Sequence, residues 1–157
     1  MKQYHLAQLN IARSKHPPGD AAMADFEAAL DGVHAVSDSD PDFIWRLQSD
    51  QSDSRELARY EADGWLVNMT LWKSLDALRA FIRSPLHLAV MRRRSEWFHQ
   101  SGEPNYCLWW IEAGQRPGFT DALQRLNTLK RLGPTPAAFN FSQTFDAPDS
   151  QPLSRSA

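Results

Sequence analysis

Asn68 and Trp72 stand four residues apart in Trp65-Leu66-Val67-Asn68-Met69-Thr70-Leu71-Trp72, a run that reads as a strand. Side chains alternate along a strand, so Asn68, Thr70 and Trp72 share one face, and Trp65, Val67, Met69 and Leu71 the other. An amide and an indole thus project from one surface. The same pair also fits a plain sheet-to-helix junction, with Asn68 bonding backbone and Trp72 in the core. His87, Met91, Arg94 and Phe98 are spaced at steps of four, three and four, which puts them on one face of a helix. An unperturbed histidine pKa of about 6.5 suits proton abstraction near neutral pH. A satisfied, partly buried histidine is the plainer reading of His87. Arg46, inside the apolar run Phe43–Leu47, either points to solvent, pairs across a sheet, or faces a cavity where a guanidinium holds an anion or carbonyl.

Periodicity gives the surrounding elements. Tyr4 to Ile11 alternates, with Tyr4, Leu6, Gln8 and Asn10 on one face, and reads as a strand whose face ends in two amides. Such amides commonly bond neighbouring backbone or sit at an exposed end. Pro17-Pro18-Gly19-Asp20 breaks it and caps a helix carrying Met23, Phe26, Leu30 and Val33. Phe43–Leu47 is a second strand. Gln48 to Glu61 is polar and reads as a mobile connection with a short turn of helix at Ser54–Tyr60, either lid or spacer.

Ser74 caps a helix from Leu75 to Ile82, and Ser84-Pro85 starts another that is expected to reach Gln100, with Arg92 paired to Glu96. The arginine run Arg92–Arg94 is the kind of feature that usually forms a solvated surface, although Arg94 falls on the His87 stripe. Tyr106–Ile111 is the most apolar strand, with Trp109 and Trp110 on opposite faces. Thr120 caps a last helix with leucines at 123, 126, 129 and 132, closed by Gly133-Pro134. Phe139, Phe141 and Phe145 alternate in an extended segment that pairs on an edge or lies over the core. Residues 147–157 are polar and are expected to be a disordered tail, leaving residues 1–146 as a single domain.

The 157 residues, 42% hydrophobic and 23% charged, suit one ordinary globular domain. A net charge of −2 gives no electrostatic reason to expect nucleic acid or an anionic membrane as partner. One cysteine, Cys107, precludes an intrachain disulfide and is compatible with a reducing cytoplasm, the expected location. No apolar run approaches the ~18 residues of a membrane span, and no secretory signal is evident. Cys/His metal spacing, a Gly-rich phosphate loop and a Gly-x-Ser-x-Gly elbow are absent from the sequence, which argues against a structural zinc site, a nucleotide enzyme and an ordinary serine hydrolase.

The order strand, helix, strand, strand, helix, helix, strand, helix is the α+β, ferredoxin-like β-α-β-β-α-β pattern, with an extra helix before the last strand and a C-terminal helix. Helices are expected on one face of the antiparallel sheet. The strands carry apolar residues on both sides, so the other face needs a cover. A second copy of the sheet, hence a homodimer, is the economical one, and the Phe139–Phe145 segment is the alternative.

His5–Asn10, Phe43–Leu47, Asn68–Trp72, His87–Phe98, Leu108-Trp109-Trp110 and Gly114–Pro117 together resemble the dimeric α/β-barrel superfamily, which includes antibiotic-biosynthesis and haem-degrading monooxygenases. More closely, the chain resembles a bacterial group of that superfamily known only as a domain of unknown function. The resemblance spans roughly residues 4–141.

Two kinds of chemistry are implied by it. Cofactor-independent, quinone-forming monooxygenases of this fold use an Asn and a Trp four residues apart on a strand. By analogy Asn68 would hold a phenolate or carbonyl, and Trp72 would form a stacking wall that excludes water. His87 would take a proton. Asn10, Arg46, Arg94, Trp97 and Trp110 are the expected substrate-binding residues. The expected function is therefore monooxygenase-like, on a small hydrophobic or aromatic molecule, with no cofactor. Other branches bind haem through a helical histidine, so a haem protein using His87 is the alternative, and a non-catalytic dimeric binding module is the third reading.

Overall fold

In the computed structural model, which describes residues 2–148, four strands form one antiparallel sheet. They are β1 (Tyr4–Arg13), β2 (Phe43–Arg46), β3 (Trp65–Trp72) and β4 (Tyr106–Glu112), in the order β2-β3-β1-β4. The helices are α1 (Ala24–Asp38), α2 (Arg55–Ala62), α3 (Leu75–Ile82), α4 (Pro85–Arg92), α5 (Arg94–Trp97) and α6 (Phe119–Leu132). Strand order and direction are those of a ferredoxin-like fold, as the sequence pattern predicts. In the pairing of β1 with β3, Leu6 lies opposite Trp72, Gln8 opposite Thr70 and Asn10 opposite Asn68.

Local chemistry places the helix starts. Ser54 accepts from the Leu57 amide, and Ser74 from the Ala77 amide, each at 3.1 Å. Such caps contribute about 1 kcal/mol each. Asp20 caps a short 3₁₀ turn, Ala21–Met23, that leads into α1. α6 begins at Phe119 after Gly118, earlier than a Thr120 cap would give; the Thr120 hydroxyl instead donates to Glu56 of α2 at 2.7 Å. Gly133, at φ 75°, ends α6 in a conformation that other residues rarely adopt.

The sheet has a core on each side. On one side Leu6, Trp72 and Leu108 pack with Ala77 and Leu78 of α3. Beside them Phe26 of α1, Trp97 and Phe98 form a second cluster over Ala12 and Leu66. On the other side Ala7, Leu9, Met69, Leu71, Cys107 and Trp109 pack against Leu57 of α2 and Phe119, Leu123, Leu126 and Leu129 of α6. This second cover was expected from another copy of the sheet or from the Phe139–Phe145 segment. Instead α2 and α6 of the same chain occupy it. The Phe139 segment runs at the sheet edge, where Phe139 and Leu108 exchange both backbone hydrogen bonds at 2.8 Å.

Two further expectations change. The Gln48–Glu61 connection is not a simple spacer, because α2 buries Leu57 in the core. The long helix from Ser84 to Gln100 breaks at Arg93, where α4 ends and the short α5 begins. The break lets Trp97 and Phe98 dock on Phe26, with ring centroids at 5.3 and 5.0 Å, and pairs Phe98 with Ser14 beyond β1. It also makes Arg93, not Arg92, the partner of Glu96; Arg93 reaches Asp25 of α1 as well. The expected disordered tail falls largely on residues 149–157, which lie outside the described residues. No helix among the described residues is long and apolar enough to cross a membrane.

Candidate functional site

No residue of α4 is fully buried, and His87 and Val90 are half-buried. The helix packs chiefly on α1 and α3 and stands off the sheet. The gap beneath it is a cavity with two lobes that share much of their lining, about 500 and 880 Å³. That is ample for a small molecule.

Its floor is set by the strand register. Asn10 and Asn68 lie opposite each other, and Gln8 and Thr70 form the next pair along the same face. These four polar side chains make a patch in a sheet face that is otherwise apolar at Leu6, Leu66, Trp72 and Leu108. Directly opposed side chains in a sheet come within about 5.5 Å, and diagonal ones within about 8 Å, so one ligand can touch several. Neither the Asn10 nor the Asn68 amide bonds another described residue; both line both lobes.

Gln8 and Thr70 are engaged. The Trp72 indole N–H donates to the Thr70 hydroxyl oxygen at 3.0 Å, and that hydroxyl donates to Gln8 Oε1 at 2.9 Å.

His87 hangs from α4 and lines both lobes. Its Nδ1 lies 3.1 Å from the Ile82 carbonyl oxygen. A carbonyl can only accept, so Nδ1 carries the proton and Nε2 keeps its lone pair. Burial pushes the His87 pKa down, and the Ile82 bond only partly opposes this. The ring is therefore neutral at pH 7. It leans on Phe81 at 5.2 Å, and Phe81 in turn on Trp72 at 5.0 Å.

Arg46, which lines the smaller lobe, is held by Asp38 at 3.0 and 3.3 Å and by the Ser37 hydroxyl at 3.2 Å. Its charge is committed to that pair. His34 lies nearby and is also pushed down, first by burial and then by Arg46. Arg94 lines both lobes, bonds the Met91 carbonyl at 3.1 Å and has no carboxylate partner among the described residues.

The structure thus brings Asn10, Asn68, His87, Arg94 and Arg46 to one cavity. Met91 and Phe98 of the His87 stripe line it too. It does not bring the three tryptophans. Trp72 is fully buried and lines neither lobe; Phe81, which touches it at 5.0 Å, lines both. Trp97 is buried in the Phe26 cluster, beneath the Arg93 guanidinium at 4.8 Å. Trp110 donates its indole N–H to the Phe145 carbonyl at 2.8 Å and holds the C-terminal segment.

Gln8, Thr70, His34 and Phe81 also line the cavity, although sequence reasoning did not single them out as site residues. Signals for them existed. Gln8 precedes Asn10 by two on one strand face, Thr70 follows Asn68 by two on another, and His34 lies four residues after Leu30 on the buried stripe of α1.

A ferredoxin-like sheet thus carries a helix-roofed cavity with an amide floor. The chain belongs to the domain-of-unknown-function family DUF3291, whose family model matches residues 5–155. No curated protein is significantly similar.

Among solved structures the chain resembles a mutant of SnoaB, a cofactor-independent oxygenase from Streptomyces nogalater, at 17% identity over 71% of this chain and 95% of that one, with a TM-score of 0.45. A conserved protein from Methanosarcina mazei Go1 has 13% identity over 69% and 92% of the two chains and a TM-score of 0.49. A protein of unknown function from Nitrosomonas europaea has 11% identity over 75% and 99%, with a TM-score of 0.46.

Proposed function

We propose that the protein is a monooxygenase-like enzyme that takes a small hydrophobic or aromatic molecule into the cavity between its sheet and α4, and needs no cofactor. The observation that carries this reading is His87: a neutral imidazole with its proton fixed on Nδ1, and so a basic Nε2, on a side chain that lines a cavity floored by the Asn10 and Asn68 amides. His87 takes a proton from an acidic carbon or hydroxyl. Asn68, with Asn10, donates to the oxygen on which the negative charge collects. Phe81, Phe26 and Val90 give the cavity apolar walls against which the ring of such a molecule packs. For a ring methylene the overall change is CH₂ + O₂ → C=O + H₂O. The substrate supplies all the electrons, and one oxygen atom leaves as water.

The same reading assigns the protein to the cytoplasm, with no nucleic-acid or membrane partner. It places any second copy of the chain in a homodimer away from the sheet face that α2 and α6 cover.

The test is aerobic turnover of a panel of anthrones and naphthols, followed by oxygen uptake. Wild type consumes oxygen, His87→Ala and Asn68→Ala lose at least tenfold in kcat/KM, and iron chelators change nothing. Equal rates for wild type and both variants would sink the reading.

One observation favours a second reading. Metal-ligating histidines commonly donate their other ring N–H to a backbone carbonyl, as His87 does to Ile82. On that ground His87 would hold haem through Nε2, and haem would supply redox chemistry at the cavity. Haem titration separates the two readings: a Soret shift that His87→Ala abolishes supports the haem protein, and identical titrations exclude His87 as ligand.

A further inference from the structure

Gln8 was expected to bond neighbouring backbone or to sit at an exposed end. Its place in the structure is more specific. Trp72 Nε1 can only donate, so it takes a lone pair of Thr70 Oγ1 at 3.0 Å. The Thr70 proton is then directed to Gln8 Oε1 at 2.9 Å. The carbonyl end of the Gln8 amide is occupied, and the amide cannot flip without breaking the relay. Gln8 Nε2 makes no hydrogen bond to another described residue, while the side chain is half-buried and lines the larger lobe. The origin of the relay is a fully buried indole, and Thr70 is itself buried. Solvent therefore offers the indole no alternative partner.

We propose that Gln8 is a ligand-binding residue of this cavity: it presents its side-chain NH₂ as an oriented donor to an acceptor oxygen of the ligand, a ketone or an enolate, and the buried Trp72 is the positioning residue that sets that orientation through Thr70. This rests on the reading of the cavity as the functional site, and it adds a selectivity to that site. The floor favours molecules that offer an acceptor oxygen beside an apolar ring. It disfavours the same ring without the oxygen, because binding such a ring strips water from the Gln8 NH₂ and gives nothing back.

The roles of Trp72 and Gln8 thus reverse the expectation drawn from the resemblance. Trp72 does not touch the ligand, and the glutamine across the sheet from Thr70 does.

A matched pair of probes tests this: 1-indanone, which carries a ring ketone, and indane, the same bicycle without oxygen. Dissociation constants come from NMR titration of the full chain, with the Gln8 side-chain amide observed directly. Wild type is expected to prefer 1-indanone by about five- to tenfold, the scale of one net hydrogen bond, and only 1-indanone should shift the Gln8 NH₂ resonances. Gln8→Met should bring the preference to near unity, and Gln8→Glu should invert it, since a carboxylate repels the ketone. Thr70→Val leaves Gln8 in place but frees its amide, so it should lower the preference, which a role confined to bracing β1 against β3 would not do.

If Gln8→Met does not fold, as judged by its amide spectrum, Gln8→Glu and Thr70→Val carry the test. A folded Gln8 variant that keeps the full wild-type preference overturns the proposal. So does wild-type binding of both probes without preference, which leaves the cavity itself standing. Uptake of neither probe by wild type at millimolar concentration overturns the cavity as a site and this assignment with it.

Discussion

The Nδ1 of His87 lies 3.1 Å from the carbonyl oxygen of Ile82, the last residue of α3, so the helix end just before α4 dictates which nitrogen of the ring is basic. The tautomer is a backbone property and does not depend on any ligand. Nitrogen-15 spectra of the imidazole should show the proton on Nδ1, and the ring should titrate below the ordinary histidine value of about 6.5. A ring that titrates above that value, or carries its proton on Nε2, would contradict this geometry.

Stability should track the same histidine. Burial lowers the folded-state pKa of His87 and His34, while in the unfolded chain both protonate near pH 6.5. Below that pH the unfolded state binds the extra protons first. Stability is therefore complete above about pH 6.5, declines as the pH falls, and levels off once the folded pKa values are passed. Urea midpoints measured from pH 8 to pH 5 should fall accordingly, and His87→Gln should flatten the profile.

The polar floor divides into residues that hold the fold and residues that do not. Asn68 has no hydrogen-bond partner for its side chain among the described residues, so Asn68→Leu should change stability by no more than about 0.5 kcal/mol while it removes ligand binding. Thr70→Val strands the buried Trp72 N–H and should cost about 1–3 kcal/mol. Urea denaturation of the two variants side by side checks the contrast.

The cover of the second sheet face is open to an equally direct check. Leu126 of α6 is 1% exposed in the cluster with Leu9 and Met69. Leu126→Ala should cost about 2–5 kcal/mol in chemical denaturation with no change in molar mass by light scattering. A negligible cost, or a change in mass, would mean that α6 does not cover the sheet in solution.

Cys107 faces the same core. Burial raises its thiol pKa to about 12. A chromogenic disulfide reagent should leave it untouched in native protein and react at a rate that tracks unfolding as urea is added.

Much of this arrangement is legible in the sequence. The alternation in residues 65–72 correctly separates Asn68 from Met69, and the step pattern from His87 correctly groups it with Met91, Arg94 and Phe98 around one space. What escapes has physical causes. Residues 86–100 contain no glycine or proline to mark the break at Arg93. The break is a tertiary effect, needed to swing Trp97 and Phe98 onto Phe26. α2 buries one leucine in eight mostly polar residues, so its packing role leaves little trace in composition. The tryptophans mislead because an amphipathic ring suits a pocket wall and a core equally well. Trp72, Trp97 and Trp110 each find a partner elsewhere, in Thr70, the Phe26 cluster and Phe145. Gln8 escapes because a hydrogen-bond relay between strands depends on register, which alternation alone does not reveal.

The roof and the floor of the cavity differ in what a substitution can damage. α4 leaves Leu86, Leu88 and Met91 partly exposed and buries no residue fully, whereas the floor residues are woven into the two central strands. Changes at Leu88 and Met91, which line the cavity and are exposed, should therefore cost the fold little and act mainly on what the cavity admits. A lineage carrying this architecture can retune its ligand by drifting one eight-residue helix, without renegotiating the sheet beneath it.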